Sequence, residues 1–318
     1  MKYIGKKLVT MIGTLLVVSF LVFLAFSVIP GDPALAKLGT EATPERLESL
    51  REQMGLNAPL LERYGNWILS FVKGDMGTSY SYSMPVRSMI GDKLPITITL
   101  TCMAFIFVIL ISLPVALFTA SHAGKAPDRL VYTFNQIMMS VPPFFAGLLF
   151  TIVFGMLLKW FVPGDFVSYT SSIGGFLRYL ILPALAIALP KIAMCVKLLR
   201  SSVVMELKTD YVRTALSRGN NMKSVLYQHI LKNALIPVIT FLGMTLADMI
   251  AGSIIIEQVF NIPGLGRILL TSISNRDYPV VEAIIVLLAF VIIVINFGVD
   301  LLYQIVDPRI RISGKEQS

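Results

Sequence analysis

Six continuous apolar stretches constrain this chain more than any other feature. They run Leu8–Ile29, Ile98–Ala120, Ile137–Leu158, Leu177–Leu199, Ala234–Ile256 and Val280–Val306. A bilayer core of about 30 Å needs about 20 apolar residues in a helix. Only helices and closed barrels satisfy every backbone hydrogen bond in lipid. The runs are unbroken rather than alternating, so the expectation is an all-α polytopic membrane protein with about six transmembrane helices. The charge content agrees: 14% of residues are charged, against about 25% in soluble domains. Mean hydropathy is +0.76. Length alone would allow two soluble domains, but the apolar segments argue for one membrane domain.

The first stretch follows Lys2, Lys6 and Lys7 and mimics a signal peptide. Its 22 residues exceed the h-region of a signal, which is about 7–15 long. It ends in Pro30-Gly31-Asp32-Pro33 without a small-x-small cleavage site, so a retained helix is expected. The net charge of +8 sits in the loops. Placed with the N-terminus inside, the inner segments 1–7, 121–136, 200–233 and 307–318 carry 14 Lys and Arg. The short outer segments 159–176 and 257–279 carry three. The positive-inside rule then puts both termini in the cytoplasm of a multi-pass protein of the cell membrane. It also accounts for the basic balance without a nucleic-acid partner.

The expected organisation is an N-terminal transmembrane helix (1–29), an extracytoplasmic segment (30–97), a membrane core (98–306) holding a cytoplasmic loop (200–233), and a cytoplasmic tail (307–318). The outer segment has helical signals of its own. Thr43 can cap, Pro44 suits a first turn, and Glu45 to Met54 follow. From Pro59 to Val72, Leu60, Tyr64, Trp67 and Phe71 recur at three to four residues, the spacing of one helix face.

The sequence offers few parts for catalysis. It has no G-x-x-x-x-G-K-[ST] loop for nucleotide, no H-E-x-x-H, no C-x-x-C and no G-x-S-x-G. Its histidines, His122 and His229, lie far apart in inner loops, and its cysteines, Cys102 and Cys195, fall in apolar runs as small buried residues. No catalytic residue, metal site or cofactor is therefore expected. Charge away from the span ends is sparse: Lys191, Asp248 and Asp300. Asp248 is the candidate for a translocation path, because a carboxylate at that depth is costly; helix packing is the alternative. Lys191 is expected to snorkel to the inner face. Pro114, Pro142-Pro143, Pro183, Pro190 and Pro237 interrupt four spans and free backbone carbonyls there.

The inner loop from Arg200 to Pro237 says most. Val204, Leu207, Tyr211 and Ala215 share one side of a helix. Gly219 follows Arg218 as a helix-ending glycine behind basic residues. A second helix is expected from Met222 to the membrane entry at Pro237. A helical hairpin of this kind cannot bury both its faces and needs a docking partner.

The run Asp210-Tyr211-Val212-Arg213-Thr214-Ala215, with Gly219 and then Pro237, resembles the loop motif of binding-protein-dependent ABC importer permeases. Its form is similar to the dipeptide, oligopeptide and nickel branch, with Arg213 and Thr214 where the wider family has Glu and Ala. Other segments agree in order along the chain: Ile29 to Pro33, Gly74-Asp75-Met76-Gly77-Thr78-Ser79, Leu94-Pro95-Ile96-Thr97, Ile262 to Arg267, Asn275 to Val280, and Asp307-Pro308-Arg309. The resemblance implies a type I ABC importer permease fold. It implies a second homologous permease subunit, two cytoplasmic ABC ATPases, an extracytoplasmic solute-binding protein and surrounding membrane lipid. It implies that Asp210, Tyr211, Arg213, Thr214, Ala215 and Gly219 form the loop that couples to an ATPase groove. Peptides are the expected cargo. A nickel ion or metal chelate is the alternative, and an ion-coupled secondary transporter or a membrane enzyme are the competing classes.

Overall fold

The computed structural model describes residues 2–28, 33–38, 43–53 and 56–306. The motifs at Ile29 to Asp32 and at Asp307-Pro308-Arg309, and the tail 307–318, lie outside the described residues. Among the described residues the chain is helical: α1 (Lys2–Val28), α2 (Pro33–Leu38), α3 (Pro44–Gln53), α4 (Leu60–Val72), α5 (Val86–Gly91), α6 (Leu94–Ser121), α7 (Ala126–Ser140), α8 (Pro143–Phe150), α9 (Ile173–Glu206), α10 (Asp210–Ser217), α11 (Met222–Val225), α12 (Leu231–Val259), α13 (Leu265–Ser274) and α14 (Tyr278–Val306). Two π-helical turns, Thr151–Leu157 and Leu226–Ile230, extend α8 and precede α12. Among the described residues, five helices are long and apolar enough to cross a membrane, and a sixth crossing forms if the bent pair α7–α8 counts as one span.

That bent pair corrects the sequence reading. The third stretch was expected as one helix over 137–158. The chain instead folds as Ala126–Ser140, a break, and Pro143–Leu157, with a bend of 101°. Pro142 and Pro143 supply no amide hydrogens, so the helical ladder stops at Val141. Extended φ and ψ at Val141 and Pro142 turn the path. Pro127 at the start of α7 lets that helix begin well before the apolar run.

The helices divide into two compact units, Met1–Ile96 with Pro263–Val294, and Thr97–Ile262 with Ile295–Ser318. In the first, α4 lays its aromatic face on α1. Tyr64 stacks on Trp67 and Trp67 on Phe71, while Phe20 and Phe23 meet Tyr64 from α1. The Tyr64 hydroxyl reaches Ser19 Oγ at 2.8 Å and the Leu16 carbonyl at 3.1 Å. The face expected from spacing is thus the packed one. Thr43 Oγ1 accepts from the Arg46 amide at 3.4 Å, as its position before Pro44 suggests.

The second unit is built on α9, whose Leu180, Ala184, Ala188, Cys195, Leu199 and Val203 are fully shielded from solvent. Small residues let neighbours approach closely, the usual device where lipid supplies no hydrophobic drive between helices. A Cβ on Gly147 of α8 would sit 3.1 Å from the Phe260 ring and 3.2 Å from Ile256, so α8 rides directly on the end of α12. A Cβ on Gly243 of α12 would collide with the Val299 side chain of α14. Tyr179 donates to the Phe260 carbonyl at 2.7 Å and accepts from the Gly164 amide at 3.1 Å. Ser112 donates to Cys195 Sγ at 3.1 Å, tying α6 to α9. Cys195 is buried as expected, but Cys102 is exposed on the chain surface, because it falls on the outer side of α6.

Candidate functional site

The hairpin between α9 and α12 is shorter-jointed than its sequence pattern suggests. A single helix was expected to carry Val204, Leu207, Tyr211 and Ala215. The structure breaks it at Leu207–Thr209, between α9 and α10. Thr209 is the cause. Its hydroxyl donates back to the Glu206 carbonyl at 2.6 Å, and its φ and ψ of −77° and 154° are extended. A threonine that bonds backward competes with the helical ladder. Asp210 then opens α10, where a carboxylate meets the positive end of the helix dipole.

Gly219 closes α10. Its φ is +86°, the left-handed region that an L side chain adopts only at a cost. The Gly219 amide donates to the Leu216 carbonyl at 2.9 Å, and the Asn220 amide to the Ala215 carbonyl at 3.3 Å. This reciprocal pair is a Schellman closure, which satisfies the last carbonyls of the helix. The Asn220 side chain adds a bond to the same Ala215 oxygen at 3.2 Å. A Cβ at Gly219 would meet nothing within 4 Å, so the backbone conformation and not the space demands glycine. Asn221 caps the next helix, accepting from the Ser224 amide at 2.7 Å.

Tyr211 knots the hairpin to both spans. Its hydroxyl donates to Glu206 Oε2 at 2.5 Å and accepts from Asn233 Nδ2 at 3.3 Å. Partial burial and the Glu206 carboxylate push its pKa above the usual phenol value. Val212 is the buried anchor of α10. Arg213, Thr214 and Leu216 face outward. Arg213 pairs with Asp210 at 3.7 Å, but both are so exposed that the pair contributes little. Tyr211, Thr214, Ala215, Arg218, Asn220 and His229 line an open recess of about 320 Å³. The six sequence-selected loop residues thus come together on one short helix and its cap.

Asp248 lies elsewhere, on α12, and it is not the lone buried carboxylate expected. Its side chain is 67% exposed on this chain and pairs with Lys191 Nζ of α9 at 3.1 Å. Lys191 is the partner of that carboxylate, with its own side chain 22% exposed.

Among the acidic groups whose partners the sequence does not reveal are Asp128 and Asp277. Asp128 at the start of α7 is 95% shielded and takes a two-pronged grip from Arg200, Nε to Oδ1 at 2.5 Å and Nη2 to Oδ2 at 2.6 Å. The Gly124 amide adds 2.8 Å to Oδ2. Three donors thus hold this carboxylate, two of them from a charged guanidinium, at the base of the same α9 that carries the hairpin. Nothing in the local sequence couples positions 72 residues apart. The other is Asp277, fully buried in the first unit. It accepts from Ser79 Oγ, from the Tyr80 amide at 2.8 Å and from the Ser81 amide at 3.4 Å. The Gly74–Ser79 and Asn275–Val280 motifs are therefore two halves of one clasp. Burial, with Glu282 and Asp277 nearby, raises the Tyr80 pKa far above the usual phenol value.

With that geometry in hand, the comparisons are consistent from end to end. Residues 112–312 match the family described as binding-protein-dependent transport system inner membrane component, and residues 1–101 match its N-terminal counterpart. A putative peptide transport system permease protein of Brucella abortus is 38% identical over 96% of this chain and 98% of its own length. A probable peptide ABC transporter permease protein of Sinorhizobium fredii is 34% identical, over 97% and 99%. The glutathione transport system permease protein GsiC of Escherichia coli is 36% identical, over 98% and 99%. A solved chain of the inward-facing MetNI methionine ABC transporter has a TM-score of 0.55 at 20% identity, covering 69% of this chain and 96% of that one, and so shares its fold. The all-α, type I importer-like architecture expected from the sequence is thereby supported. The protein is a multi-pass membrane component that works with ATPase and substrate-binding components, and it belongs to the binding-protein-dependent transport system inner membrane component family.

Proposed function

We propose that this chain is one half of the translocation channel of an ATP-driven peptide importer. It pairs with a second homologous permease subunit, two cytoplasmic ATPases and one extracytoplasmic binding protein. Peptide cargo is supported by the relatives named for peptide and glutathione transport. Both termini are placed in the cytoplasm, on the strength of the Lys and Arg distribution. Residues 30–97 form the extracytoplasmic segment and 98–306 the membrane core, with loop 200–233 facing the cytoplasm and 307–318 as the tail.

The observation that carries this reading is the hairpin. Asp210, Tyr211, Arg213, Thr214, Ala215 and Gly219 form a short, capped helix held rigidly at both ends. A rigid lever fixed to α9 and α12 transmits displacement to both helices together. An ATPase groove that moves α10 then moves the spans that carry cargo. The chain has no phosphate-binding loop, so energy from ATP has to enter through a partner.

Reconstitution tests this directly. Vesicles holding the full complex, with loaded binding protein outside and ATP inside, are expected to accumulate labelled peptide. Vesicles holding this chain and its permease partner alone are expected to accumulate none. Uptake by the ATPase-free vesicles, driven by a proton or sodium gradient, would instead make it a secondary transporter.

A further inference from the structure

The second unit has an open groove that carries more charge than a lipid-facing surface can. Its floor is α9. Lys191, Met194 and Lys197 are spaced by three and fan across about a third of the helix circumference. Lys191 reaches one wall, α12, at Asp248. Lys197 reaches the other wall, α7, where Gln136 Oε1 accepts at 3.4 Å. On α12 the exposed residues Met244, Asp248, Ala251, Ile255 and Gln258 recur at four and three, a continuous stripe along one side.

Three environments could receive this groove. Lipid is the costliest, because Lys191 and Asp248 each lie eight residues inside the nearer end of their span. A dry subunit contact would need the second permease subunit to supply an acid to Lys197, whose partner on this chain is the neutral Gln136 amide. Water satisfies all of them. The local sum is +1, since Asp248 cancels Lys191 while Gln136 cancels nothing. Asp248 uses only Oδ2 toward Lys191, and at 67% exposure it can take a second donor. Exposed Met194 and Met244 give the groove flexible, polarisable walls, suited to cargo of varied shape.

Building on the importer reading above, we propose that this groove is the aqueous path for cargo and that Lys197 contacts the cargo's free carboxylate. The Lys191–Asp248 pair lies about 9 Å away along α9, within the span of two to three extended residues at about 3.4 Å each. Asp248 is there to meet an ammonium end. The ligand class is a short zwitterionic chain with a free C-terminus.

Two measurements on the assembled transporter test this. In a Cys102→Ser/Cys195→Ser background, Met194→Cys is expected to react with water-borne methanethiosulfonates. The sulfonatoethyl reagent should gain on the trimethylammonioethyl one relative to a free thiol, because the local charge is positive. No reaction with either reagent, whether the face lies in lipid or in a dry contact, would overturn the path. The second is the uptake ratio of a tripeptide to its C-terminal amide, each from binding protein fully loaded with it. Wild type should favour the free acid by about tenfold, the worth of a charge-assisted bond. Lys197→Gln should bring the ratio close to one, and Lys197→Arg should restore it. A ratio that Lys197→Gln leaves unchanged would overturn the carboxylate contact, and because the ratio is taken within one variant, general damage cancels. If wild type takes up neither compound, the importer reading falls, and the thiol result still decides whether the groove is wet.

Discussion

Arg200→Met is expected to lower the melting temperature of the purified protein by about 10 °C. The reason is what it leaves behind. Asp128 is 95% shielded and receives both Arg200 prongs at 2.5 and 2.6 Å. Remove the guanidinium and a carboxylate stays buried with the neutral Gly124 amide still donating to it. Breaking one side of such a pair costs about 3–5 kcal/mol, whereas replacing both sides by apolar groups is often neutral. The double variant Asp128→Leu/Arg200→Met is therefore expected to regain most of the loss. A thermal-shift series in detergent reads both. Equal melting temperatures for wild type and Arg200→Met would show that the pair is not what fastens α7 to α9. Under the proposed role of the hairpin, stability and transport are linked, because the same grip fixes the root of the helix that bears it.

Gly219→Val is expected to cut ATP-driven uptake at least tenfold while leaving membrane insertion intact. At φ +86° a β-branched residue is strained, by about 1–2 kcal/mol or more. Relief requires undoing the closure at Leu216 and Ala215, which frays the end of α10. A frayed lever absorbs a push instead of passing it on. No side chain crowds the position, so the variant should fold and insert. Gly219→Asn is the control: asparagine tolerates left-handed backbone, and uptake should stay within a few-fold of wild type. If valine and asparagine behave alike, backbone handedness at this turn does not matter for coupling.

What the sequence made legible follows from which signals are local. The aromatic face of α4, the Thr43 cap and the positive φ at Gly219 each depend on residues within one or two turns, and each stands where the spacing put it. Hydrophobic length located the spans, but it missed the 101° break. An apolar run does not reveal how hard two adjacent prolines will bend it. Thr209 was invisible for a related reason: helix periodicity counts side chains, and the break comes from a hydroxyl bonding backward to a carbonyl. Pairings were the least legible. Asp128 with Arg200, Asp248 with Lys191 and Asp277 with Ser79 join positions separated by 72, 57 and 198 residues. Each residue alone reads as an isolated charge, and only the fold supplies its partner. The Asp248 reading changed most, from a lone acid to one half of an ion pair on an open face.

The loop from Asp210 to Gly219 is where ATPase motion should reach this polypeptide, and a photo-crosslinking residue at position 215 tests that most directly. In the assembled transporter, illumination should join this chain to an ATPase subunit, with a yield that changes when ATP is trapped between the ATPases. Crosslinks to the extracytoplasmic binding protein, or none to an ATPase in either nucleotide state, would contradict it.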